Sequence, residues 1–169
     1  MKKILTLVFS SLLFTSVISQ ACQHLQPTSK PVPAVQIRDV NTGQEEKLLA
    51  ETGEPRTLVA FGNLADKNFA ADVRALNKMD AVEKKGLCRV VVVMDTKDLE
   101  QIKKFMDENQ IKIRVVVPAQ EGWRKDWPGV VNRSVFIANA QNIVAQGVDV
   151  IGNEKLIEET VAKLESGAS

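Results

Sequence analysis

Two cysteines and one histidine make up the soft nucleophiles and imidazole ligands of this 169-residue chain. His24 stands in the polar, proline-containing stretch "QHLQPTSKPVP". A catalytic triad or a His-rich metal site is excluded on inventory alone, and nothing in the chain calls for a metal or another cofactor. Cys88 lies in "GLCRVVVVM", just ahead of four valines. That setting predicts a buried strand, where a free cysteine behaves as a small hydrophobe; the competing reading is a reactive thiol, which needs exposure and a lowered pKa. A disulfide to Cys22 would require the N-terminal stretch to fold back onto that strand. Asp66 stands just before an amphipathic run with no partner base in view, so a helix cap outweighs a catalytic acid there.

Trp123 and Trp127 flank Arg124 and Lys125. A spacing of four puts both indoles on one side of a helical turn. Turned inward they are core; exposed beside cations they have the composition of a protein-binding hot spot.

Cys22 closes an N-terminal segment with the pattern of an export signal. Lys2 and Lys3 precede an apolar stretch from Ile4 to Ile18 that ends in small residues, short for a membrane span. Two readings of the junction compete. Ser19 and Ala21 suit an ordinary signal peptidase, with the mature chain starting at Cys22. Alternatively "ISQAC" is similar to a relaxed bacterial lipoprotein box, departing from it at Ser19, and Cys22 is lipidated. Gln23, rather than the Asp that retains lipoproteins in the inner membrane, then points to the outer membrane. Removing the two lysines leaves 20 basic against 21 acidic residues, a formal net charge of −1. Nucleic-acid binding driven by bulk charge is not expected.

The elements that must position these residues follow from periodicity. Residues 1–21 form the signal peptide, 22–33 a flexible tether and 34–169 one domain. In that domain Val35, Ile37 and Val40 lead through "NTGQ" to Leu48 and Leu49, a hairpin. "RTLVAF" is a strand covered on both faces. Phe69, Val73, Leu76, Met79 and Val82 share one helix face, Asp72, Arg74, Lys78 and Asp80 lie largely on the other, and "EKKG" closes the helix. "LCRVVVVM" is a strand, and "TKDLEQIKKFMDEN" a helix capped by Thr96 that turns Leu99, Ile102, Phe105 and Met106 inward. "IKIRVVVP" is a strand, "AQEGWRKDWPGV" an irregular segment with at most one helical turn, and Val135 to Ile137 and Ile143 to Val148 flank the turn-prone "NAQN" as a second hairpin. Asn153 caps a last helix with Leu156, Ile157, Thr160, Val161 and Leu164 inside. Strands alternating with helices and followed by a hairpin predict an α/β fold with a mixed central sheet flanked by helices.

In this order the chain resembles the thioredoxin-like superfamily, in the branch of TlpA-like exported thiol-disulfide oxidoreductases and peroxiredoxin-related proteins. "IRDVNTGQEEKL" is similar to the opening hairpin of that branch, "TLVAF" to its strand before the active site, usually ending in Phe-Trp, and "VFIANAQNIV" to its late hairpin. The resemblance spans about residues 33–166. It implies a Cys-x-x-Cys motif at a helix N-terminus, where the dipole lowers the first thiol's pKa, yet the matching residues are Asp66, Lys67, Asn68 and Phe69. It also implies a cis-proline before the late hairpin. The matching residue is Asn132, where a trans peptide is expected because a non-proline cis bond costs about 2.5–4 kcal/mol.

The expectation is therefore an exported, lipid-anchored protein of the bacterial envelope, without thiol-disulfide exchange, that binds a protein or peptide. Its surface would be the vacated face, Gly62, Asn63, Lys67, Asn68 and Arg133, with Trp123 and Trp127 beside it. The alternatives are a redox protein working through Cys88 alone and a structural envelope component.

Overall fold

The computed structural model describes residues 25–49, 56–78, 89–127, 129–139 and 141–166. Cys22, His24 and Cys88, with Met79, Val82 and Gly86 of the expected first-helix end, lie outside the described residues. Eight strands form a single sheet in the order β1-β8-β7-β4-β5-β6-β2-β3. They are β1 (Gln26–Pro31), β2 (Gln36–Asp39), β3 (Glu45–Lys47), β4 (Thr57–Gly62), β5 (Arg89–Met94), β6 (Arg114–Pro118), β7 (Ser134–Ala138) and β8 (Asn142–Val148). The described helices are α1 (Lys67–Lys78), α2 (Leu99–Glu108), α3 (Trp123–Asp126) and α4 (Glu154–Ser166).

The valine-rich strands pair in parallel at the centre, β4 with β5 and β5 with β6, while β7 runs antiparallel to β4. β4 is buried from end to end, as a continuous apolar run requires when both sheet faces are covered. One face carries Leu58, Ala60, Val92 and Ile137 against Phe69 and Val73 of α1, Ile102 of α2, and Ile157 and Val161 of α4. The opposite face carries Val59, Phe61, Val91, Val93 and Phe136 against Trp123 and Trp127. The mixed sheet, both hairpins and the alternation of strand and helix match the expected α/β architecture.

Three expectations are corrected. The tether of 22–33 contains a strand: β1 runs antiparallel along β8, with Gln26 opposite Gln146 and Pro31 opposite Asn142. Its prolines and polar residues hid it, because an edge strand needs backbone partners on one side only and tolerates proline. Thr96 does not cap α2. Asp98 does, accepting from the Gln101 amide at 3.0 Å, while the Thr96 hydroxyl takes the Asp98 amide at 3.2 Å. Asp72 is buried rather than on the solvent face of α1, and Arg133 is its partner. By contrast Asn153 caps α4 as its sequence predicts, accepting from the Leu156 amide at 3.2 Å.

Candidate functional site

β4 ends at Gly62, and the chain turns through residues 63–66 into α1. Asp66 occupies the cap: its Oδ1 accepts from the Asn68 amide at 2.8 Å and more loosely from that of Phe69 at 3.4 Å. Two amides of the first helical turn, which a thiolate at this position would face, are thus taken by the carboxylate of the capping residue. Phe69 points away from the surface and is fully buried under the sheet. Its ring fills the space over Gly62, where an added Cβ would lie 2.4 Å from the Phe69 Cδ2. Gly62 and Phe69 are therefore one packing unit: the strand can end in glycine because the helix supplies the aromatic ring from the other side.

The loop before β7 closes over this junction. The peptide bond before Asn132 is trans, and its side chain joins two segments. Its Nδ2 donates to the Asp66 Oδ2 at 2.5 Å, and its Oδ1 accepts from the Asn63 amide at 3.0 Å. Asn63 in turn donates through Nδ2 to the Asp95 carbonyl at 2.9 Å and accepts from the Ala65 amide at 2.8 Å. Asn132, which matches the family's cis-proline, is thus in direct contact with Asp66, which matches its first cysteine. The space between the loop before β7 and the start of α1 is crossed by side-chain hydrogen bonds.

Arg133, expected on a binding surface, is half-buried and held in two ion pairs. At φ 61°, in the left-handed region rarely adopted by a side-chain-bearing residue, it donates through Nε to Asp72 and through a terminal nitrogen to Asp149, both at 2.7 Å. The hydrogen bond to Asp72 raises its guanidinium pKa against the opposing effect of burial, and the charges of Asp72, Asp149 and Asp66 add to the rise. This residue locks α1 to the loops on either side of the late hairpin.

Of the two readings of the tryptophan pair, the structure takes the inward one. Trp123 is 6% and Trp127 1% exposed, so neither is an exposed anchor. Phe61 stacks on Trp123 with centroids 5.4 Å apart and meets Trp127 at 5.0 Å. Of the expected surface, Lys67 and Asn68 are exposed, Asn63 is half-buried and Gly62 is buried.

Beside the closed junction, at the ends of β5 and β6, lies a groove of about 500 Å³. Asp95, Lys97, Glu121 and Arg124 line it, with Pro118 and Trp123. None of the charged four was singled out from the sequence as part of a groove. The available signal was their position just past the carboxyl ends of parallel strands, where open α/β sheets bind ligands. Among the described residues no group of three or more His, Cys, Asp or Glu side chains is placed to hold a metal ion, and no helix is long and apolar enough to cross a membrane.

Comparison with solved structures decides the fold. A thiol:disulfide interchange protein from a Bacteroides species superposes with a TM-score of 0.66 at 20% identity, covering 84% of this chain and 92% of that one. The fold is thioredoxin-like. A putative DsbE-type interchange protein from Chlorobium tepidum gives 0.65 at 19% identity, over 83% of this chain and 99% of its own. A peroxidoxin from Mycobacterium tuberculosis gives 0.64 at 13% identity, over 85% and 99%. No family model and no curated relative matches the sequence.

Proposed function

We propose that this thioredoxin-like chain is an exported, lipid-anchored binding module of the bacterial envelope that does not exchange disulfides. One observation carries the reading: the two positions of the expected dithiol hold a helix cap, Asp66, and a core side chain, Phe69. Neither has a sulfur, and Asn132 bonds to the first of them. The competing reading is a redox protein, the class to which the neighbours' names belong, working through Cys88 alone. Labelling the folded protein with a thiol reagent and trapping mixed disulfides separates the two. The module predicts no adduct that depends on Cys88; an adduct lost in Cys88→Ala supports the alternative.

The export reading gains a geometric consequence from β1. Only residues 23–25 separate Cys22 from Gln26, where β1 begins, and four extended residue steps span at most about 14 Å. An anchor at Cys22 therefore holds the domain against the bilayer rather than on a long leash. Any partner is an envelope protein or peptide that reaches the domain close to the lipid surface. Mass spectrometry of the mature N-terminus tests the anchor, and an unmodified Cys22 ends that part of the proposal.

A further inference from the structure

The parallel strands β4, β5 and β6 end side by side. Over β4 that end is closed by Asn63, Asp66 and Asn132, whereas over β5 and β6 it opens into the groove of about 500 Å³. This volume falls within the range of roughly 300–1,000 Å³ typical of small-ligand sites. The two regions are continuous, because Asp95 takes the Asn63 side chain on its backbone carbonyl and holds Arg124 with its carboxylate.

The charges of the groove come in two opposed pairs. Arg124 donates one terminal nitrogen to Asp95, and its guanidinium carbon sits 5.5 Å from the Trp123 ring centroid. The cation is thereby held over the ring and oriented. Lys97, in the loop after β5, and Glu121, in the loop after β6, meet across the mouth at 2.6 Å. Both side chains of this second pair are more than 85% exposed, at 86% and 87%, so water screens the bridge and a ligand can part it without leaving a buried charge. A ligand of one sign gains from one member of each pair and is repelled by the other. A ligand carrying both signs is matched twice.

Resting on the reading of the chain as a binding module, we propose that this groove takes a short peptide with free termini. The carboxylate lies toward Arg124, and the ammonium toward Glu121.

The test is calorimetric titration of the folded protein with trialanine and, separately, with the same peptide acetylated and amidated. Trialanine is expected to saturate, and capping both ends to weaken binding at least about tenfold. Glu121→Gln, at an exposed position where folding is not in question, and Arg124→Gln should each weaken trialanine binding by about fivefold or more. Equal binding of the capped peptide, no saturation with trialanine, or unchanged affinity in Glu121→Gln overturns the assignment. The reading of a chain without thiol exchange is untouched by any of these results, since it answers to disulfide turnover alone.

Discussion

Asp66 carries three structural contacts where a thiol is expected: two amides of α1 and the Asn132 side chain. Asp66→Ala should lower stability by about 1–2 kcal/mol, the usual range for a lost cap, whereas Asp66→Asn, which keeps an acceptor, should lose less. Urea unfolding of both variants gives the comparison, and equal midpoints would mean that the cap is not what Asp66 contributes. Gly62 and Phe69 supply a second residue-scale prediction. Gly62→Ala places a methyl 2.4 Å from the ring, and overpacking of this kind costs about 1–3 kcal/mol. Combined with Phe69→Leu, the loss should fall short of the sum of the two single losses, a coupling that a double-mutant cycle reads directly. The cap was legible because Asp precedes the first apolar-periodic residue. The Asn132 contact was not, because it links residues 66 apart, and no local pattern reports which polar side chains a fold brings together. The tryptophans show the same limit: their spacing fixed a shared side, but only the position of Phe61 and Phe136 determines that this side is inward.

At the scale of elements, the opening hairpin is held by Asp39. Its Oδ1 accepts from the amides of Asn41 and Thr42 at 2.9 and 3.1 Å, and its Oδ2 accepts from the Arg114 Nε on β6 at 3.0 Å. Gly43 follows at φ 70°, a conformation glycine adopts without strain. Burial pushes the Asp39 carboxyl up, but the Thr42 amide, the Arg114 guanidinium and the Asn41 amide together hold it below its ordinary value. A carboxyl lowered on folding stabilises the native state above its unfolded pKa of about 3.9, and the benefit disappears as pH falls through the folded value. Asp39→Asn should therefore cost about 1–2 kcal/mol at neutral pH, with the difference from the parent shrinking as pH is lowered from about 5 toward 2. A difference independent of pH would remove the charge of Asp39 from the account. Both hairpins and the central strands were legible from alternation, turn residues and valine runs. β1 was not, because its sequence has neither alternation nor β-branched density, and its order comes from the β8 backbone beside it.

At the scale of the molecule, β1 completes one end of the sheet and its loss should be felt globally. A chain beginning at Val32 is expected to unfold at lower urea than one beginning at Leu25, because Ile143 and Ala145 on β8 lose their paired neighbour; identical midpoints would show that β1 adds nothing to the core. The architecture itself was readable from the order of strands and helices, and the solved structures agree with it. What the order could not supply is whether a scaffold still performs its relatives' reaction, since that depends on a few side chains at one helix start. The most direct measurement is the reduction of insulin disulfides by dithiothreitol with and without the folded protein. The account predicts a rate indistinguishable from the protein-free control, and the same rate for Cys88→Ala. Acceleration that disappears in Cys88→Ala would contradict it.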